Sequence, residues 1–173
     1  YIDSSGNVGI GVVPSAWHSS YSALQLDPSG GAVWSGGYDS NIGANLYQHG
    51  AGTFKQIGGS YGASYYGQFN GYHAFYTNGN VGAETVFTPT ERMRIDSSGN
   101  LLVGTTDPNV HTGTTSGAVL HPSGFGFFAV SGNSPIYANR LSSDGNIIDF
   151  RREGLPVGSI GTASGFLQVQ SAG

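Results

Sequence analysis

A six-residue phrase occurs twice in this chain: Ile2-Asp3-Ser4-Ser5-Gly6-Asn7 returns unchanged as Ile95-Asp96-Ser97-Ser98-Gly99-Asn100, about 93 residues on. Repetition at that spacing points to a repeat architecture rather than one irregular domain. Each copy runs into a short apolar stretch that ends at a proline, Val8 to Pro14 in the first and Leu101 to Pro108 in the second. Both therefore read as turn, strand, stop. The Gly-Asn dipeptide suits a two-residue hairpin turn of type II′, since glycine accepts positive φ at the first central position. Asp3, Gly6, Asn7, Asp96, Gly99 and Asn100 are thus expected to shape the repeat turns. The same dipeptide at Gly79-Asn80, Gly132-Asn133 and Gly145-Asn146 extends the expectation to Gly145 and Asn146. A chain punctuated this often is made of many short strands.

Nothing in the sequence sustains a 3.6-residue apolar period between helix start and stop signals, so the expected class is all-β. Only 9% of the 173 residues are charged and 30 are glycine, yet 12% are aromatic. The rings set the chain apart from a disordered linker, because linkers lack the apolar surface that offsets chain entropy. The glycines have no period of three, which excludes a collagen helix. Six basic residues against ten acids argue against a nucleic-acid partner, and no apolar run is long enough to suggest a membrane-spanning helix. Cysteine is absent, so disulfides and thiolate metal sites drop out. Small glycine-rich β units bury little apolar surface alone, and association of several chains is the natural remedy.

The pattern divides the chain into 1–14, the end of a preceding repeat strand, and 15–93, an aromatic-rich β module. A repeat strand and joint follow at 94–122, then a second, incomplete module at 123–173. Tyr1 stands where Arg94 precedes the second copy, so the chain is expected to open inside a unit. Leu24 and Leu26 share a strand face, followed by Val33 in the next run. A turn is expected over Asp27-Pro28-Ser29-Gly30-Gly31. Strands are expected at Gly124 to Val130 and Pro135 to Leu141, and a hairpin turns at Glu153-Gly154 between Asn146 to Arg152 and Val157 to Ile160. Glycines Gly9 and Gly11 alternate along the first strand, where a bare face permits close backbone approach.

Few residues carry chemistry. The five histidines lack the spacing of a single-chain metal site, and no cofactor-binding loop is present. Most acids lie in turns, where a carboxylate accepts backbone N–H groups. Asp149, Glu84, Glu91 and Glu153 form no evident pair for glycoside hydrolysis, so the chain is read as a non-enzyme. The better candidate is an aromatic cluster of carbohydrate-binding composition, Tyr61, Tyr65, Tyr66, Tyr72 and Tyr76 with Gln68, in which rings stack on sugar faces and amides orient hydroxyls. Burial of alternate rings in a core or between chains is the competing account of the same residues.

The run from Glu91-Arg92-Met93-Arg94 through Ile95-Asp96-Ser97-Ser98-Gly99-Asn100 to Leu101-Leu102-Val103-Gly104-Thr105-Thr106 resembles a recurrent motif of tailed-bacteriophage tail fibre proteins, found upstream of a C-terminal intramolecular chaperone domain. Ala44-Asn45-Leu46-Tyr47, the Tyr/Phe-rich middle, and Ser143-Asp144-Gly145-Asn146-Ile147-Ile148-Asp149-Phe150 resemble the same family. The resemblance implies a virion tail fibre, outside the cell. It further implies a parallel homotrimer of elongated, sandwich- or prism-like β modules, partnered by other tail fibre or baseplate proteins and by a host surface glycan or receptor. A structural role that positions a receptor-binding tip and supports adhesion follows from it. A polysaccharide-degrading tailspike and a bacterial surface adhesin are the alternatives. The chaperone and the particle-attachment segment of the family pattern are not recognisable between Tyr1 and Gly173, and are expected to lie outside these residues or to have been removed.

Overall fold

The computed structural model describes residues 1–26, 28 and 31–172. Of the turn expected over Asp27 to Gly31, Asp27, Ser29 and Gly30 lie outside the described residues. The described secondary structure is entirely strand and turn, so the class is all-β. The chain divides into two units, Tyr1–Ser131 and Gly132–Gly173. The division falls later than the joint expected at 94–122, because the strands of the repeat continue the sheet of the first unit instead of leaving it.

That sheet has ten strands. In chain order they are β1 (Val8–Ile10), β2 (Ser22–Leu26), β3 (Gly31–Gly36), β4 (Asp39–Ala44), then, after β5 (Leu46–Gly50) and β6 (Thr53–Gln56), β7 (Ala63–Phe69) and β8 (Tyr72–Asn78). Past β9 (Val86–Phe87) the sheet resumes with β10 (Thr90–Ile95), β11 (Leu101–Val103), β12 (Gly117–Leu120) and β13 (Gly126–Ala129). Strand order in space is β1-β2-β3-β4-β7-β8-β10-β11-β12-β13, and β5, β6 and β9 form a separate three-stranded sheet. All pairings are antiparallel except β1 with β2.

The first core lies on one face of the ten-stranded sheet. Trp34, Leu46, Tyr47, Phe54 and Phe87 are buried together with Trp17 and the small residues Ala23, Ala32 and Ala63. The small residues make room for the rings. A Cβ on Gly43 would stand 2.8 Å from both the Trp34 ring and Tyr65 Cβ, so this strand is bare where two aromatics close over it. Trp34 then packs edge-on against Phe54, with ring centroids 6.1 Å apart. A second, smaller core gathers Leu102, Val110 and Val119, with Phe127 and Ala129 against it. Leu24, Leu26 and Val33 do share a face, but it is the opposite one, left open to solvent while Ala23, Gln25, Ala32 and Trp34 go inward.

One residue, Asn45, carries the chain from β4 in the large sheet to β5 in the small one. It does so in the left-handed region, φ 59°. Of the two glycines expected to bare the first strand, Gly9 does so, for a Cβ there would meet the Val12 carbonyl oxygen at 2.0 Å, but Gly11 lies beyond β1 at φ 75° with open space about it.

The second unit is one antiparallel sheet, β14 (Gly145–Arg152), β15 (Leu155–Ala163) and β16 (Phe166–Ser171). Its first hairpin turns at Glu153-Gly154, as expected, with φ of 52° and 83° at the two loop residues, the signature of a type I′ turn. The strand expected at Pro135 to Leu141 is not formed. Residues 131–140 are exposed throughout, and Pro135 has no N–H to offer a ladder.

Candidate interface and aromatic cluster

The repeat turns are the same object twice. In the first copy Asp3 Oδ1 accepts the backbone N–H groups of Ser5 (2.9 Å) and Asn7 (2.8 Å), and Asp3 Oδ2 accepts Asn7 Nδ2 (2.9 Å). In the second, Asp96 takes the equivalent bonds from Ser98 and Asn100, each at 2.9 Å. The Gly6 N–H donates to the Asp3 carbonyl and the Asp3 N–H to the Asn7 carbonyl, so the loop is three residues long. Gly6 and Gly99 sit at φ 85° and 84°. This is a type I turn closed by a bulged glycine, not the expected two-residue type II′ turn. The carboxylate decides it: by holding the amides two and four residues on, it places the turn upstream of the glycine. Gly145 and Asn146 are no turn at all, for they open β14.

The expected carbohydrate-binding residues do not form one surface. Tyr65, Tyr72 and Tyr76 belong to the inner face of β7 and β8, whereas Tyr66 and Gln68 belong to the outer face and Tyr61 stands exposed in the loop before β7. Tyr65 and Tyr76 are cross-strand partners stacked face to face, with centroids 4.4 Å apart and planes within 3°. Burial pushes both phenols well above the usual tyrosine range; the Tyr65 phenol is raised further by Tyr76, and the Tyr76 phenol by Glu91. The Tyr76 hydroxyl donates to Glu91 Oε2 at 3.1 Å, and the Arg94 guanidinium lies 4.8 Å from the Tyr72 ring centre. On the outer face the Tyr66 hydroxyl bonds His73 Nδ1, and Tyr66 packs against Phe75.

Those outer residues belong to a larger pattern that the sequence does not display. Following the strand register, Val8 pairs with Leu24, Leu24 with Val33, Val33 with Ile42, Ile42 with Tyr66 and Tyr66 with Phe75. Phase is kept beyond: Phe75 faces Met93, then come Val103, Ala118 and Phe128. One row of the open face thus crosses all ten strands without a charged or hydrogen-bonding amide side chain. Ile42 at its middle is 58% exposed. A contiguous apolar band of this extent on an exposed sheet marks a contact surface, since single chains rarely leave more than a few hundred Å² of it in water.

The second unit repeats the condition more severely. Ile148, Ile160 and Val169 pair across β14, β15 and β16, with Leu167 paired two places along β15 from Ile160. Val169 is 75% and Leu167 73% exposed. Only Ser159 and Gly161 are buried among the described residues of this unit, so no large apolar side chain is enclosed in it.

Of the acids singled out earlier, three have structural partners, Glu84 with Lys55 and the Tyr47 hydroxyl, Glu91 with Arg94, and Asp149 with Arg151 and Asn146, while Glu153 stands in the turn between β14 and β15. Sequence reasoning missed the inner-face ion pair and Asn45. Their signals, an extra residue in a strand and a single left-handed residue, exist only in register and backbone angle. No family model, curated protein or solved structure matches the chain.

Proposed function

We propose that this chain is a structural segment of a bacteriophage tail fibre, assembled as a parallel homotrimer on the virion. In that setting it positions a receptor-binding tip and supports adhesion to the host cell surface. The family is suggested by the repeat phrase and its flanks. The observation that carries the assembly is the sheet β14-β15-β16, which presents Ile148, Ile160, Leu167 and Val169 on one face and encloses none of them.

A three-stranded sheet gains stability by burying an apolar face, and a unit near the lower limit of about 40 residues has nothing to spare. Each Å² of apolar surface removed from water contributes about 25 cal/mol, and this sheet can collect it only from outside itself. Identical copies related by a symmetry axis supply the same apolar row to one another, so no foreign partner is required. The function is then mechanical: strand ladders satisfy the backbone within each copy, and apolar faces meet between copies. Other tail fibre or baseplate proteins would join the ends of the fibre, and the host glycan or receptor is its target.

Light scattering combined with sedimentation tests the proposal. The expected result is the mass of three chains with a high frictional ratio, falling to one chain in Val169→Asp. A compact particle of one chain for the unsubstituted protein would overturn it.

A further inference from the structure

The ten-stranded sheet keeps its charges on the core side, the reverse of what a sheet facing water alone does. An antiparallel sheet with one face on a core ordinarily turns polar and charged side chains out on the other. The charged residues on these strands are Asp39, Glu91, Arg92 and Arg94. Asp39 lies among Tyr21, Phe54 and Tyr65 on the inner side, and Glu91 and Arg94 pair there beside Tyr76 and Tyr72. Arg92 is outside, as the extra residue of the β10 bulge, and its Nε donates to Thr77 Oγ1 at 2.9 Å.

The rest of the outer face is free of Asp, Glu, Lys and Arg, row by row. On one side of the apolar row Ser22, Ser35, Ser40, Gln68 and His73 pair in succession. On the other side Gly31, Ala44, Ser64 and Thr77 do the same. Whatever covers this face must be apolar along its middle, able to exchange hydrogen bonds along its flanks, and twisted with the same hand. Hydroxyl and carboxamide groups both donate and accept, so the Ser/Gln row of one copy can bond the same row of another. Neighbouring strands turn by about 20–25°, which coils the face; a second sheet of that twist follows it at about 30° and about 10 Å, as a flat lipid surface cannot. Ten strands about 4.8 Å apart and three rows about 7 Å apart give a footprint of about 48 Å by 20 Å. That is on the order of 900 Å², beside about 800 Å² from each partner in a stable interface.

We propose that the outer face of the ten-stranded sheet, centred on Val33, Ile42, Tyr66 and Phe75, packs against the same face of other copies of this chain. The inference rests on the self-association proposed above from β14-β15-β16, and assigns to the first unit its own share of the contact.

The chain has no cysteine, so one introduced thiol reports its own surroundings. Ile42→Cys places it at the middle of the face, and Tyr38→Cys, in the exposed turn before β4, is the control. Maleimide labelling of the whole chain is timed at a concentration where sedimentation shows several copies per particle. The expected result is labelling of Ile42→Cys about tenfold or more slower than that of Tyr38→Cys, rising towards the control rate on dilution to single chains. Should Ile42→Cys not fold, Ser40→Cys, two residues away on the same face, takes its place. Equal rates in a particle of several copies would overturn the covered face and leave assembly standing. A single-chain mass at every concentration would overturn assembly, and this inference with it. Slow labelling that persists in single chains, or that appears only with phosphatidylglycerol vesicles, would assign the face to another cover and overturn it too.

Discussion

Glu91 and Arg94 lie three residues apart on strand β10, a spacing that puts side chains on opposite faces of a regular strand, yet they form a two-pronged ion pair with both N···O distances at 2.5 Å. The register explains it. Glu91 faces Tyr76 and Met93 faces Phe75, so Arg92 is an extra residue without a partner. That bulge returns Arg94 to the inner face beside Glu91 and keeps Met93 in the outer apolar row.

Removing the carboxylate charge should therefore cost more than a surface pair does. Both side chains are mostly buried, at 22% and 15% exposure. Glu91→Gln is expected to lower stability by about 1.5–3 kcal/mol, the range for a hydrogen bond to a charged group. Arg94→Lys should lose less, keeping charge while giving up the fork. Urea unfolding measures both; a midpoint for Glu91→Gln equal to that of the unsubstituted chain would refute the account.

The two repeat turns offer an internal control. Asn7 Oδ1 accepts the Ala23 N–H at 3.0 Å, tying the first turn to β2, whereas Asn100 Oδ1 is buried without a partner among the described residues. Strand β2 runs parallel to β1 and brings a donor, while β12 runs antiparallel to β11 and is followed by Pro122, which packs on Gly99 and has no N–H. Asn7→Ala strands the Ala23 amide, and Asn100→Ala removes an acceptor already unsatisfied. The first should cost more than the second by about 1 kcal/mol, read from paired denaturation curves. Equal losses would mean that the link to β2 carries no stability.

Much of this was legible in advance for a physical reason. Alternation, glycine punctuation and the absence of helical period are local properties, and they give the all-β class and the Glu153-Gly154 turn. The direction of each face is not local. Leu24 and Val33 look like core residues, but Trp34 and Tyr65 need the space that Ala23, Ala32 and Gly43 leave, so the large aliphatics turn outward. The aromatic cluster is divided for a related reason: composition marks Tyr61, Tyr65, Tyr66, Gln68, Tyr72 and Tyr76 as one set, and alternation on β7 and β8 places its members on two faces, with Tyr61 in the loop before them. The apolar row spanning ten strands could not be read at all, because its members touch only once the register is known.

Alkaline pH probes the inner rings. Burial raises the phenols of Tyr47, Tyr65 and Tyr76 far above the ordinary value of 10.0, helped by Glu84 at Tyr47, Tyr76 at Tyr65 and Glu91 at Tyr76. A folded pKa above the unfolded one means that the stabilisation is whole below pH 10 and declines as pH rises beyond it, since the unfolded chain releases these protons first. Of the ten tyrosines, these three are expected to ionise only with unfolding. Tyrosinate absorbance followed beside circular dichroism should show a late step coincident with loss of sheet. Smooth ionisation of all ten before unfolding would contradict the packing.

Asn45 tests the corner between the sheets. The residue must hold φ 59°, which asparagine tolerates better than other non-glycine residues. Its side chain is also the fastener for the loop ahead of β7: Nδ2 donates to the Tyr61 carbonyl at 2.8 Å, and Oδ1 accepts the Gly58 N–H at 2.6 Å. Backbone and side-chain demands can be separated by substitution. Asn45→Gly keeps the conformation and loses the bonds; Asn45→Ala loses both; Asn45→Asp keeps the acceptor and leaves the Tyr61 carbonyl without its donor. The alanine variant should be the least stable, by about 1–2 kcal/mol relative to the glycine variant, which isolates the left-handed strain. Amide exchange at Gly58 should quicken in both Asn45→Gly and Asn45→Ala and stay slow in Asn45→Asp. An alanine variant as stable as the glycine one would show that the corner relaxes out of the left-handed region, and protection at Gly58 in its absence would assign the loop's order to the surrounding aromatic core instead.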